Sequence, residues 1–456
     1  MAENNKIAFL FGAGVEVDYG FPLGGELSLR LLMSKEIDKG LKDKISRMLS
    51  DGKISKKKYF TIADLRKIGK SIIKNRQYEI EKFFKTFDER INKDFPEYII
   101  EENYVEINQT RINKKILNDW ISSEKPLVKA IGNFFAEIIL LVFGEKILTE
   151  QQNNLYKTLS LDIEQNKLFK IDFSSVSLFT SPDIEDVFKN LVEKNEDKKN
   201  EDEKILKLFK ELVETAVDFQ ELLKDLYPAI LSDDENNEFV AIAVILFRIQ
   251  EIINDFYKNK RIPDNSYYKD LRKWEFFENC IFATTNYTNL ILDETEVSND
   301  KVFFLNGNVN NYFDISDSEI KSIEDIDKNK KYIPYIFTQT TLKPLFCVDM
   351  MKPFVDFLKE AENSDILCIL GYAGNKDDVI VNSIIHKLLK QGKKVIYFNY
   401  EDSIKDEQLK ANFNLNQSNR AYFKNVKVDK NRKVQLENDK EVFWLDYIKA
   451  KIGGIQ

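Results

Sequence analysis

The stretch Ile7-Ala8-Phe9-Leu10-Phe11-Gly12-Ala13-Gly14-Val15-Glu16-Val17-Asp18-Tyr19-Gly20-Phe21-Pro22-Leu23-Gly24-Gly25 decides how the rest of the chain is read. Its first five residues form an uninterrupted apolar run, the pattern of a strand buried on both faces. Five of the chain's 16 glycines then fall between positions 12 and 25, against a glycine-poor background. An amphipathic stretch, Glu26-Leu27-Ser28-Leu29-Arg30-Leu31-Leu32, follows. Strand, glycine turn and helix start in that order have two readings. Small residues let backbone N–H groups and a helix dipole cradle a phosphate. Equally, a tight turn needs glycine for its dihedral angles alone.

A chain of 456 residues has room for two or three domains, and 34 Phe with 19 Tyr supply ample core. A net charge of −8 excludes a wholly basic nucleic-acid surface, so nucleic acid is not indicated as a partner. Cys280, Cys347 and Cys368 lie far apart with no CxxC pair, which excludes a zinc ribbon and speaks against a disulfide framework. A cytoplasmic protein is expected. The first apolar run is too short for a signal peptide. The apolar stretches 134–144, broken by Glu137, and 239–247 fall short of the roughly 20 residues a membrane span needs, so no membrane partner is expected. His386 is the one histidine, which matters because histidine is the usual general base near neutral pH.

Three textures follow one another. Residues 1–34 carry the strand, turn and helix start. Residues 35–275 read as almost wholly helical, with apolar stripes such as Ile80, Phe83, Phe84 and Phe87, or Ile205, Leu208, Phe209 and Leu212, facing a core. Two similar segments, 78–84 and 182–188, read as ordinary amphipathic helices, and the run 193–204 without an apolar residue as a solvated loop or helix end. From 276 onward strands and helices alternate. Strands are expected at 280–285, 302–305, 365–371 and 394–399, and helices at 355–362 and 379–389. Such a pattern predicts a parallel sheet covered on both faces. Beyond 403 the chain reads as polar and irregular, with one late helix near 442–452. The simplest architecture is one Rossmann-like α/β domain of residues 1–34 and 276–402, a helical insertion over 35–275, and a tail over 403–456.

Ligands of open parallel sheets sit beyond the carboxyl ends of the strands. Each expected strand here ends in small or amide residues: Gly12-Ala13-Gly14, Thr285-Asn286-Tyr287, Asn306-Gly307-Asn308, Gly371-Tyr372-Ala373-Gly374 and Asn399-Tyr400. Asparagine donates and accepts at once, as sugar hydroxyls require. Singly, each asparagine is a turn residue or cap; together, five such ends indicate a ligand. Asp377 and Asp378 read as helix caps.

These segments resemble, in order and spacing, the motifs of the sirtuin-like NAD-binding family. Its Gly-Ala-Gly turn and following Gly-x-Pro match Gly12-Ala13-Gly14 and Gly20-Phe21-Pro22. Its Thr-Asn-aromatic segment matches Thr285-Asn286-Tyr287. Its Leu-His-Gly, Gly-Tyr-Ser and strand-ending Asn match Leu305-Asn306-Gly307, Gly371-Tyr372-Ala373 and Asn399. The resemblance covers residues 1–30 and 280–402. It implies a sirtuin-like sheet and NAD as cofactor or substrate, contacted by Gly12, Ala13, Gly14, Glu16, Pro22, Thr285, Asn286, Gly307, Gly371, Tyr372 and Asn399. Asn286 would hold the nicotinamide ribose and Asn399 the adenosine ribose. Without the zinc-binding cysteines of protein-deacylating sirtuins, the chain resembles the bacterial branch. Many of that branch's members hydrolyse NAD during anti-phage defence, arresting or killing the host cell.

Three positions depart from the family. Its Ser or Thr after the glycine turn is Glu16, its Asp of the Asn-x-Asp segment is Thr288, and its catalytic His is Asn306. An amide does not titrate near neutral pH and cannot be a general base. His386, in mid-helix, reads as a surface or packing residue. Cleavage of NAD still has a good leaving group in the cationic nicotinamide, and Glu16 could orient ribose or stabilise positive charge. The expected function is therefore an NAD+ hydrolase acting as an anti-phage abortive-infection effector, with Asn286 and Asn306 in the catalytic positions. The alternatives are a sirtuin-like protein that binds NAD or ADP-ribose as sensor or scaffold, and an inactivating substitution at Asn306. Self-association and a partner protein or phage trigger are expected through the helical insertion.

Overall fold

A computed structural model of the chain describes residues 6–33, 73, 75–107, 110–125, 201–216, 235–327, 330, 332–337, 348–374, 378–400, 404–436 and 440–453, with scattered positions between 128 and 143. The described residues divide into two compact units. One runs to Leu23 and resumes at Ile242; the other lies between Gly24 and Ala241. The sequence reading sets these limits at 34 and 276. The segment 242–275 goes with the α/β unit because its aromatic side chains pack on the sheet: Trp274 meets the Phe9 ring edge-on at 6.3 Å and Tyr268 meets Phe11 at 5.3 Å.

The opening apolar run forms strand β1 (Ile7–Phe11), fully buried. In the other unit the amphipathic stretch forms a helix over Gly24–Met33. Gln77–Asp94 forms a second, which buries Ile80, Phe83, Phe84, Phe87 and Ile91 along one stripe. Phe135 joins that stripe, 5.5 Å from Phe87. Glu201–Ala216 forms another, so the charged run ends in helix from 201 on, while 193–200 and 182–188 lie outside the described residues. One hairpin breaks the wholly helical reading: β2 (Tyr104–Ile107) pairs antiparallel with β3 (Thr110–Asn113). β-Branched and aromatic residues favour that pairing, with Val105 opposite Ile112 and Glu106 opposite Arg111. Asn113 ends the hairpin, its Oδ1 accepting from the Ile116 N–H at 3.1 Å to cap helix Lys114–Ile121.

The α/β unit continues with β4 (Cys280–Thr284), β5 (Val302–Phe304), β6 (Gly307–Asp314), β7 (Glu319–Ser322), β8 (Tyr332–Ile336), β9 (Ile366–Leu370), β10 (Lys394–Tyr400), β11 (Phe423–Val428), β12 (Lys433–Gln435) and β13 (Glu441–Phe443). Eight strands form one sheet in the order β13-β12-β11-β10-β9-β1-β4-β5. The six from β5 to β11 are parallel; β12 and β13 are antiparallel. Numbered along the chain, the parallel strands run third, second, first, fourth, fifth, sixth, the order of doubly wound dinucleotide-binding sheets. The order reverses between β1 and β9.

Alternation sorts the two faces. Phe9, Phe11 and Phe282 stack on one face, and the Trp444 ring packs edge-on against both Phe9 and Phe398. Phe303 pairs with Ala283, which pairs with Leu10, so it points to the opposite face and meets Phe357 of helix Lys352–Glu362 at 5.9 Å.

Two segments depart from the sequence reading. Residues 307–336 form a separate antiparallel sheet in the order β7-β6-β8, which no expected strand anticipates. The supposed tail carries β11, β12 and β13, while the late helix expected near 442–452 is present as Trp444–Gly453. Its strands alternate short apolar and charged residues, as in Lys424-Asn425-Val426-Lys427-Val428, so average polarity hides a half-buried strand pattern. Asp270 ties this segment in, accepting from Arg432 Nε at 2.5 Å and Trp444 Nε1 at 2.9 Å. Among the described residues, no helix is long and apolar enough to cross a membrane.

Candidate functional site

The reversal of strand order brings the carboxyl ends of β1, β4 and β9 side by side, and their turns interlock through backbone bonds. The Gly12 N–H donates to the Leu370 carbonyl and the Gly14 N–H to that of Gly371, both at 2.9 Å. Glycine is required by close approach. A Cβ on Gly12 would lie 2.5 Å from the Gly371 carbonyl oxygen, and one on Gly14 2.8 Å from Gly371 Cα. Gly371 adopts φ 65°, and its own Cβ would meet Val15 N at 2.5 Å. The cradle expected from sequence changes accordingly. The amides of Gly12 and Gly14 are engaged by protein carbonyls, and Ala13 and Gly14 are what the turn presents at its surface. No α-helix starts at the turn: a seven-residue 3-10 helix, Ala13–Tyr19, follows directly, closed by Gly20 in the left-handed region. Pro22 is buried beyond it.

The segment after β4 docks onto this turn. The Thr285 N–H donates to the Phe11 carbonyl at 2.9 Å, and Asn286 Nδ2 to the Gly12 carbonyl at 3.1 Å. The Thr284 hydroxyl accepts from the Asn286 N–H at 3.0 Å, holding that side chain's backbone in place. Asn306, after β5, is wholly buried; its Nδ2 donates to the Thr285 carbonyl at 3.1 Å and its own carbonyl accepts from the Phe337 N–H at 2.7 Å. Gly307 follows with φ 77°, where a Cβ would overlap the Tyr335 carbonyl oxygen. Gly12, Gly14, Thr285, Asn286, Asn306 and Gly371 thus form one bonded cluster.

Two other expected ligand contacts bond within the unit. Asn399 is buried and spends its amide on its own loop, Nδ2 donating to the Ile404 carbonyl at 2.7 Å and Oδ1 accepting from the Ile404 N–H at 3.2 Å. The Tyr372 hydroxyl donates to Asn382 Oδ1 at 2.9 Å, inside the unit. Asp378 holds the N-cap position of helix Val379–Lys390 without a cap bond from its carboxylate, which faces the Tyr372 hydroxyl instead; Asp377 lies outside the described residues. His386 sits half-buried two turns into that helix. The Cys280 and Cys368 thiols are buried, and burial pushes both above the ordinary thiol range. Cys347 lies outside the described residues.

Glu16 points inward from the 3-10 helix and is 3% exposed. Its Oε1 accepts from the Thr288 hydroxyl at 2.8 Å and from the Tyr268 hydroxyl at 3.2 Å. Thr288 in turn accepts from the Leu290 N–H at 3.3 Å, so its own proton is directed at Glu16. Burial pushes the Glu16 carboxyl up to about 7, although Thr288, Asn286, Tyr268 and the more distant Lys260 all favour the ionised form. Burial, with the Glu16 charge beside it, holds the Tyr268 hydroxyl protonated. Behind them the Tyr19 and Ser266 hydroxyls bond at 2.6 Å, and the Arg261 N–H donates to the Tyr19 carbonyl at 2.9 Å. Sequence reasoning misses Tyr268 and Ser266 because they are 252 and 247 residues from their partners, Glu16 and Tyr19, and no local pattern links them. Among the described residues, no group of three or more His, Cys, Asp or Glu side chains gathers that could hold a metal ion. No known family model matches the chain, and no curated protein matches it.

Proposed function

We propose that the carboxyl edge of β1, β4 and β9 binds NAD, and that the protein hydrolyses it to ADP-ribose and nicotinamide in the manner of the bacterial sirtuin-like family. The observation that carries this reading is the place of the Asn286 cluster. It lies where the parallel strand order reverses, the position at which doubly wound sheets take dinucleotides. The exposed Ala13–Gly14 turn, with no side chain larger than a methyl group, lets a pyrophosphate approach the backbone. In the reaction the glycosidic bond from C1′ to the nicotinamide nitrogen breaks, nicotinamide leaves neutral, and water adds at C1′ with loss of a proton. The leaving group is already cationic, so the protein's task is to position the ribose and stabilise the developing oxocarbenium charge. In this reading Asn286 orients the nicotinamide ribose.

A second reading, NAD or ADP-ribose binding without cleavage, is favoured by Asn306. Its amide is buried and bonded to the Thr285 carbonyl, and it carries no titratable group. Incubating the full-length protein with NAD and following nicotinamide by chromatography separates the two. Release of nicotinamide is expected; binding without release overturns the hydrolase and leaves the sensor. The wider role, depletion of NAD in anti-phage defence with self-association and a partner or phage trigger, rests on the family resemblance. Loss of NAD in infected cells carrying the protein, and none in uninfected ones, is the expected outcome.

A further inference from the structure

A cavity of about 570 Å³ opens in the α/β unit between helix Tyr267–Arg272 and helix Leu290–Thr295. Its lining shares no residue with the proposed nucleotide site. The first helix gives it a positive wall: Lys269, Arg272 and Lys273 stand at i, i+3 and i+4, the spacing of one helical face. Asp293 and Glu294 of the second helix supply negative charge, and Asp264, in the loop before the first, adds a third carboxylate. Both helices are held in place. Ser266 Oγ accepts from the Lys269 N–H at 3.2 Å and bonds the buried Tyr19 hydroxyl at 2.6 Å. The second helix closes on Glu296 in the left-handed region, its N–H returning to the Leu292 carbonyl at 2.9 Å. The opposite charges do not neutralise one another across the cavity. Arg272 pairs with Glu296 at 2.6 Å and Asp293 with Lys260 at 3.3 Å, and neither of those partners lines the cavity. Lys269 Nζ donates to the Pro263 carbonyl at 2.7 Å. Among the described residues, Lys269, Lys273, Asp264 and Glu294 form no ion pair. Burial, with the Glu294 charge added to it, pushes the Asp293 carboxyl above the ordinary carboxylate range.

We propose that this cavity binds a small zwitterion of the α-amino-acid class, its carboxylate received by Lys269 and Lys273 and its ammonium group by Asp264 and Glu294. The balance of charge selects that class. An anion alone meets three carboxylates, and a cation alone meets three basic side chains, so each is repelled as strongly as it is attracted. A molecule carrying both charges engages both sets and pairs the four groups that the fold gathers but leaves unpaired. An ammonium group at Glu294 also offsets the repulsion between that carboxylate and Asp293. The volume lies within the range of roughly 300–1,000 Å³ typical of small-molecule sites. Because the two helices are fixed without a ligand, little ordering opposes binding. This site stands apart from the proposed NAD site, and neither requires the other.

The full-length protein is titrated by calorimetry with each of the common amino acids, and with acetate and ethylammonium, which carry one charge each, at matched ionic strength. At least one amino acid is expected to bind with Kd below about 1 mM, and acetate and ethylammonium at least about tenfold more weakly. Lys273 and Asp264 are exposed, so Lys273→Gln and Asp264→Asn each remove one charge without disturbing the core. Each should weaken that amino acid by about tenfold and leave the urea midpoint unchanged. Lys273→Arg, which keeps the charge, should retain most of the affinity and so separates lost charge from lost fold. Failure of every amino acid to bind overturns the site. Acetate or ethylammonium binding as tightly as the best amino acid overturns the zwitterion and leaves attraction of a simple ion. Undiminished binding in both Lys273→Gln and Asp264→Asn places the ligand elsewhere and overturns the assignment to this cavity.

Discussion

Gly12 and Gly371 meet backbone to backbone, so closely that a Cβ atom on Gly12 would lie 2.5 Å from both the Gly371 carbonyl oxygen and Tyr372 Cα. Neither atom belongs to a flexible side chain. Both follow fully buried central strands that pair in register along their whole length, from Ile7 opposite Ile366 to Phe11 opposite Leu370. The contact locks the two turns that frame the reversal of strand order.

Gly12→Ala is accordingly expected to cost about 2 kcal/mol or more, since overpacking against backbone forces the strands apart. Gly20 offers the control. Its nearest neighbour is Arg261 Cγ at 3.9 Å, so Gly20→Ala carries only left-handed backbone strain, about 1–2 kcal/mol. Urea unfolding of the two variants should rank them in that order.

Stability should fall as pH rises through the window set by Glu16. Its carboxyl ionises at 4.5 in an unperturbed chain and at about 7 in the folded protein. Between those values the folded state binds more protons than the unfolded one, so each step up in pH favours unfolding until the folded carboxyl has ionised. The total is on the order of 3 kcal/mol. Glu16→Gln still accepts from Thr288 and Tyr268, so it should be more stable than the parent near pH 8, the gain shrinking toward pH 5. Urea midpoints across that range test the slope.

Trp444→Ala should cost about 3–5 kcal/mol, the range for emptying a buried indole site. The ring is wholly buried, packs edge-on against Phe9 and Phe398, and donates to Asp270 at 2.9 Å. Deleting everything after 403 removes β11, β12 and β13 as well and exposes the long edge of β10. That truncated chain is expected to be insoluble, whereas a solvated tail would be dispensable. Circular dichroism and yield of soluble protein distinguish the outcomes.

The two asparagines of interest should respond differently. Asn399→Ala removes both bonds to Ile404 and is expected to cost about 1–3 kcal/mol while leaving NAD affinity within about threefold. Asn306→His can keep a ring N–H for the Thr285 carbonyl and adds a titratable nitrogen, so nicotinamide release should rise by about 10²–10⁴-fold. Parallel calorimetry and nicotinamide assays measure both effects.

The strands of the central sheet were legible because each is a continuous apolar run: Ile7–Phe11, Cys280–Thr284, Ile366–Leu370 and Lys394–Tyr400 all emerge within about a residue or two of the patterns that announce them. The stripe from Ile80 to Phe87 was legible too. These are local properties, written in spacing alone. The β2–β3 hairpin and strands β11 to β13 were not, because short or half-buried strands with polar alternate positions dilute the apolar signal that marks a buried one.

What only the tertiary structure decided is what each small or amide residue does. Gly12, Gly14 and Gly371 are glycines because two chain segments meet there backbone to backbone, with no room for side chains. Asn399 closes its own loop, and Glu16 finds its hydroxyl partner 272 residues away. A residue's type limits the bonds it can make; which bond it makes depends on the atoms that long-range folding brings within about 3 Å. No spacing along a chain specifies that distance.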